Sequence, residues 1–272
     1  MNKARKVLLD ELGRIEEKEV ALLLSGGNGS ASVLFALLEL GKKVHAYTFH
    51  LEGHESTDLI KAKELCEKHE IKHTLVPLKH DLRALKKDCL KLINEIGCRL
   101  KTDVECCYAY LNVLPHIKEK VVTGGLGDDN YFGNSKTARI HYNDSIEKMD
   151  EYREKVYNKY TVQIEFLNKI ARQNNLKTIF PYQTEQMKAV FKGHSFKEVN
   201  KPKLKQWILD TYPEQFSDIK CYHSDFQKGD SKISEIFKSL LKSDWNISNY
   251  KRADGIYNSI ARGELPLQNE VL

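Results

Sequence analysis

The chain has 272 residues, of which 41% are hydrophobic and 30% charged, with a formal net charge of +5 at pH 7. This composition fits a folded globular protein of one large domain or two small ones, and it excludes a disordered or fibrous chain. No apolar run approaches the roughly 20 residues of a membrane span. The start, Met1 to Lys6 followed by acidic residues, does not resemble a secretory leader, so a cytoplasmic location is expected. The mild basic excess is spread along the chain and does not demand a nucleic-acid partner. The cysteines (Cys66, Cys89, Cys98, Cys106, Cys107 and Cys221) form no CxxC pair and read as mostly buried thiols in a reducing compartment.

Residues 3 to 19 carry Val7, Leu8, Leu12 and Ile15 at helical spacing and are expected to form an amphipathic helix over one sheet edge. Val20 to Leu24 is apolar on both faces, as in a buried parallel strand. It runs into Ser25-Gly26-Gly27-Asn28-Gly29-Ser30, and a helix is expected from Ser30 to Leu40, stopped at Gly41. Gly26 and Gly27 let the backbone turn and approach a ligand closely. Ser25, Asn28 and Ser30 add donors at a helix N-terminus, where partial positive charge favours phosphate. An ordinary strand-to-helix turn uses the same residue types.

Further strands are expected at 43–50, 71–78 and 120–123, with helices at 55–69, 81–96 and 103–114. This alternation predicts a doubly wound α/β sheet of parallel strands, with ligands at the carboxyl ends. From about residue 144 only helices are expected, at 148–173, 184–192, 203–209 and 231–241, before a tail anchored by Trp245, Tyr250 and Tyr257. The chain thus divides into a nucleotide-binding α/β part, 1–143, and a helical part, 144–272. The histidines between His45 and His80 fit neither a zinc ribbon nor an HExxH helix and read as surface or packing residues.

The second informative stretch is Thr123-Gly124-Gly125-Leu126-Gly127-Asp128-Asp129-Asn130-Tyr131-Phe132-Gly133. Its adjacent acids at a strand end could ligate Mg²⁺, since a phosphate-bound magnesium needs only one or two carboxylates. A solvent loop is the alternative, because Gly and Asp both form turns.

Ser25 to Ser30 resembles the SGGxDS signature of the PP-loop ATP pyrophosphatases, which cleave ATP to AMP and pyrophosphate while adenylating a substrate. Gly29 stands where that family has Asp. The second stretch is similar to the Ser/Thr-Gly-x-Gly-x-Asp-Glu loop in the synthetase domain of asparagine synthetases and β-lactam synthetases. Thr123, Gly124, Asp128, Tyr131 and Gly133 fit; Asp129 replaces Glu, and Gly125 stands where a Glu lies near the adenylated carboxyl. Fainter likenesses follow at Phe180 to Thr184, at Lys201-Pro202-Lys203-Leu204-Lys205, at Tyr212-Pro213, and at His223 to Gly229, where His223 holds the place of a Lys. The resemblance spans about residues 20 to 240.

It implies an adenine nucleotide alpha hydrolase-like fold and an ATP-dependent, magnesium-assisted amide ligase that adenylates a carboxylate, releases pyrophosphate and transfers an amine or ammonia. The adenine would lie between Leu23 and Phe49, with the phosphates over Ser25, Gly26, Gly27, Asn28, Gly29 and Ser30. Thr123 and Gly124 would face the same site. Asp128 would hold Mg²⁺, with Asp129 beside it, and Lys201, Lys205, His223 and Lys228 would supply positive charge. An Asp placed at Gly29 would restore a metal ligand unless Asp128 and Asp129 already suffice. The chain reaches the glycine loop within 25 residues, so a glutaminase domain is not expected before it. Nitrogen would come from ammonia, a substrate amine or a separate glutaminase. The losses at Gly29, Gly125 and His223, unless Asp129, Lys220 and Lys228 compensate, are what an alternative expects: a catalytically degenerate PP-loop protein kept for nucleotide binding or as a structural or interaction subunit. RNA modification ranks last, for want of a CxxC and a strongly basic face.

Overall fold

Val20 and Leu22 face one way and Ala21 and Leu23 the other, and apolar side chains meet them on both sides. That is the burial pattern of a central parallel strand. The computed structural model describes residues 2–79, 81–98 and 101–218. The helix expected at 231–241, the His223–Lys228 loop and the tail aromatics lie outside the described residues. Strands β1 (Glu19–Leu23), β2 (Lys43–Leu51), β3 (Lys72–Leu78), β4 (Val121–Gly124) and β5 (Lys177–Ile179) form one sheet in the order β3-β2-β1-β4-β5. Every neighbouring pair is parallel, and Leu23 is in register with both Tyr47 and Gly124. The two glycine-marked strand ends therefore lie side by side where strand order reverses, the point at which such sheets bind ligands.

One face of the sheet is covered by α2 (Asn28–Glu39) and α3 (Thr57–Lys68), with α1 (Lys3–Gly13) outside them. The other is covered by α4 (Leu82–Lys91), α5 (Lys101–Val113) and, after the short α6 (Lys136–His141), the long α7 (Ile146–Gln173). Short helices α8 (Glu185–Phe191), α9 (Phe196–Asn200), α10 (Gln206–Leu209) and α11 (Pro213–Ser217) complete the α2 side. Fully burying a side chain such as Leu8, Leu22 or Leu34 contributes about 1.5–3 kcal/mol.

Three expectations are corrected. The first helix ends at Gly13, not residue 19, and packs on α2 and α8 instead of a sheet edge. Helices do not fill the second half alone: Lys177-Thr178-Ile179 adds a fifth strand, too short for its two-residue period to show in the sequence. The helix after the first loop begins at Asn28, so Asn28 and Gly29 are already helical.

Buried polar side chains tie the later helices to the two glycine loops. Arg153, 2% exposed, donates to the carbonyls of Tyr131 (3.1 Å) and His194 (2.7 Å) and pairs with Asp150 (2.8 Å). The Tyr131 hydroxyl donates to the Tyr182 carbonyl at 2.5 Å, and its ring stacks on Phe191. The Tyr182 hydroxyl meets Ser32 Oγ at 2.6 Å, and Ser32 in turn donates to the Gly29 carbonyl at 2.7 Å. This chain of bonds joins the first turn of α2 to the loop before α8. Tyr182→Phe removes the outermost donor and should lower unfolding stability by about 1 kcal/mol in urea titration. An unchanged midpoint would mean that the bond contributes nothing to holding the loop.

Candidate active site

The first loop is closed by its own serines. Ser30 Oγ accepts from the Ser25 amide (3.2 Å), lies 3.2 Å from Ser25 Oγ and donates to the Gly27 carbonyl (3.1 Å). Gly26, at φ +68°, makes the turn. A Cβ there would stand 2.7 Å from Lys61 Cβ and 2.8 Å from the Asp58 carbonyl, so the loop lies flat on α3. Helices α1, α3, α4, α6, α7, α8 and α9 each begin with a side-chain cap; α2, whose N-cap is Gly27, has none, as is also true of the short α10 and α11. Its first intrahelical bond runs from the Ala31 amide to the Gly27 carbonyl. The amides of Asn28, Gly29 and Ser30 thus precede the helical ladder and present the positive end of the dipole to the cleft. Asn28 Oδ1 is buried without a hydrogen-bond partner among the described residues and lines the same cleft. Such an acceptor costs about 1–3 kcal/mol until a ligand's donor meets it.

The second loop leaves β4 at Gly124 and packs onto the first. A Cβ on Gly125 would fall 2.3 Å from the Ser30 amide nitrogen and 2.4 Å from the Gly29 carbonyl carbon. A Cβ on Gly29 would fall 2.6 Å from Asp128 Cγ and 2.7 Å from its Oδ2. The two glycines that depart from the sequence signatures are therefore a matched pair, and their missing side chains let the loops touch. A side chain at position 29 would have to displace the Asp128 carboxylate, and a Glu at Gly125 would run into the Gly29–Ser30 backbone.

Asp128 begins a 3-10 turn, Asp128–Tyr131, entered through Gly127 at φ +94°. Its carboxylate is 2.6 Å from Lys205 Nζ, and Asp129 lies 2.5 Å from the same ammonium. Lys205 is 5% exposed and holds a left-handed backbone (φ +59°), with its amide bonded to Asn200 Oδ1 at 2.9 Å. Asn200 also bonds the Phe132 carbonyl at 2.9 Å, which links the lysine's backbone to the acid loop. Burial alone would lower the Lys205 pKa; the charges of Asp128 and Asp129 outweigh it and hold the pKa above the ordinary lysine value. The ammonium is thus a fixed charge at neutral pH.

These loops form the floor of a cleft of about 1440 Å³, its open mouth included. Leu23 and Phe49 line it at the ends of β1 and β2, and Tyr110, Tyr160, Gln163 and Leu167 rise along α5 and α7. Of the residues singled out by sequence, Leu23, Ser25, Gly27, Asn28, Gly29, Ser30, Phe49, Gly124, Asp128, Asp129 and Lys205 meet there. Gly26 shapes the loop from below. Thr123 is fully buried beneath the floor, its hydroxyl without a partner among the described residues. Lys201 does not join them; it is exposed at the end of α9. His223 and Lys228 lie outside the described residues. Sequence reading missed Tyr160 and Gln163, whose spacing with Leu167 puts them on one helical stripe that reads as core.

The asparagine synthase family model matches residues 14–237. The chain belongs to that family of PP-loop ATP pyrophosphatases. The resemblance drawn from the two loops is borne out, and the parallel sheet agrees with the adenine nucleotide alpha hydrolase-like fold it implied. Among curated proteins, the 7-cyano-7-deazaguanine synthase of Rickettsia felis is 38% identical over 68 residues, covering 25% of this chain and 30% of that one. Its counterpart in Rickettsia akari is 37% identical over 68 residues, covering 25% and 29%. The matched segment thus spans less than a third of these relatives. Among solved structures, the U34-tRNA thiolase NcsA of Methanococcus maripaludis is 17% identical, with 96% of this chain and 77% of that chain covered and a TM-score of 0.41. The NMN synthetase of Francisella tularensis is 14% identical, with coverage of 82% and 97% and a TM-score of 0.37.

No group of three or more His, Cys, Asp or Glu gathers to hold a metal among the described residues. Two carboxylates at the cleft floor instead suit a magnesium ion carried in on nucleotide phosphates, which keeps most of its water. Asp128 and Asp129 would hold it. The loop contact yields a test independent of any ligand. Gly125→Ala should cost about 2 kcal/mol or more, because backbone must move to admit the methyl. Gly13→Ala, at the end of α1 with its nearest contact at 3.9 Å, should be neutral or stabilising. Equal melting curves for the two variants would contradict the interlock.

Proposed function

We propose that the chain is an ATP-dependent ligase that activates a carboxylate as its acyl-adenylate and passes the acyl group to ammonia or an amine. The observation that carries this reading is the pair of interlocked loops, with uncapped α2 amides on one side and a carboxylate pair on the other. The β- and γ-phosphates would lie on the amides of Asn28, Gly29 and Ser30, and the adenine against Leu23 and Phe49. A substrate carboxylate oxygen would attack the α-phosphorus, and the bond to the β-phosphate oxygen would break, releasing pyrophosphate. The nitrogen nucleophile would then add to the acyl carbon, AMP would depart, and the proton from nitrogen would pass to solvent. Asp128 and Asp129 would hold a magnesium ion, whose positive charge would offset that of the phosphates. Fixed dipoles and charges do most of the work in such phosphoryl chemistry. The protein's part is to aim the α2 amides, keep Asp128 in place through Lys205, and screen the α-phosphate from water.

A second reading rests on the same lysine. An ammonium held by both acids neutralises much of the charge that would attract a metal, as expected of a nucleotide-binding protein that has lost turnover. The two readings part in one assay. Exchange of labelled pyrophosphate into ATP, run across a panel of carboxylates, should be acid-dependent for the ligase. Asp128→Asn should then reduce it about a hundredfold or more. Tight MgATP binding without exchange for any acid would sink the ligase and leave the second reading.

A further inference from the structure

Beyond the floor, the cleft opens on the α5–α7 side into a compartment built from Leu126, Tyr110, Tyr160, Gln163, Leu167 and Phe180. Tyr110, Gln163, Leu167 and Phe180 are all buried, so the walls are set by packing and not by mobile surface chains. Three aromatic rings and two leucines make the walls apolar. Tyr160 and Gln163 stand one turn apart on α7 and face α5, where Gln163 Nε2 reaches Cys106 Sγ at 3.8 Å. Sulfur is a weak acceptor, so that amide keeps donor capacity for a better one. The compartment adjoins the acid pair. Tyr160 has its phenol held well above the ordinary tyrosine pKa, first by burial and then by the negative charge of Asp129.

The charges along this wall discriminate between substrates. Among the described lining residues Lys205 is the one cation, and it is held between two carboxylates. With Asp58 also on the lining, the described lining residues carry two net negative charges. A substrate arriving with a second carboxylate would meet repulsion and, among the described lining residues, no further cation to offset its desolvation. An uncharged ring would replace water on apolar walls and stack edge-on or offset against the tyrosines.

We propose that this compartment is the acceptor chamber and that it takes an aryl monocarboxylate, with the carboxylate at the loop contact and the ring between Tyr160 and Phe180. The proposal rests on the ligase reading for the direction in which the carboxylate points. It assigns a substrate class different from the acidic amino acid implied by an asparagine-forming reaction.

Calorimetry in the presence of magnesium and α,β-methylene ATP, which cannot be adenylated through, separates binding from chemistry. Benzoate and phenylacetate should bind at least about tenfold more tightly than aspartate or succinate. Gln163→Glu places a charge in the chamber and should weaken benzoate by about tenfold. Gln163→Leu, neutral and of similar size, should keep benzoate binding within about threefold. That variant shows that the loss with Glu comes from charge and not from a misfolded α7. Aspartate or succinate binding as tightly as benzoate would overturn the inference. So would indifference to Gln163→Glu, or no binding by any acid. Pyrophosphate exchange, run in parallel with ATP, reports on the ligase reading separately. Benzoate binding without exchange would sink the ligase and keep the chamber, while exchange driven by aspartate alone would do the reverse.

Discussion

The contact between Gly125 and the Gly29–Ser30 peptide is the constraint on which the rest of the site depends. Two strand ends in register at Leu23 and Gly124 bring their loops together, and only the absence of two side chains lets them meet. The meeting seats Asp128 against α2, where a family signature would carry its carboxylate on the first loop. A negative group is thus retained at the cleft floor although the residue that usually provides it is gone. The departures at 29 and 125 are better explained by one steric adjustment than by two independent losses.

That adjustment has an electrostatic counterpart. Asp128 sits near an uncapped helix N-terminus, which favours it, and beside a buried ammonium, which favours it further. Breaking a buried pair of this kind costs about 3–5 kcal/mol, at the lower end here because Asp129 is 45% exposed. Lys205 can occupy its place only through a left-handed backbone, a conformation that costs about 1–3 kcal/mol outside glycine. Asn200 holds that backbone in place through its bond to the Lys205 amide.

The central fold was legible because its signals are local. The apolar run Val20–Leu24, the glycines after it and the strand–helix alternation all follow from burial and turn chemistry over short spans. β5 was not legible, since three residues cannot show a strand period and its pairing with β4 is a tertiary fact. The site divided in the same way. Loop residues could be placed from their motif, but Tyr160 and Gln163 belong to a helix whose apolar stripe looks like any core face. Only the position of α7 across from α5 turns that stripe into a wall. The fit of Gly29 to Asp128 was equally hidden, because it joins residues almost a hundred positions apart. Lys201 and Lys205 share one motif, and the backbone turn at Lys205 decides which of them enters the cleft.

The most direct measurement is a crystal structure with magnesium and α,β-methylene ATP bound. The β- and γ-phosphate oxygens should lie within about 2.7–3.2 Å of the Asn28, Gly29 and Ser30 amides, with the cation on Asp128. The adenine should rest against Leu23 and Phe49. Phosphates directed away from the α2 amides, or a nucleotide bound outside the cleft, would contradict the account at its root.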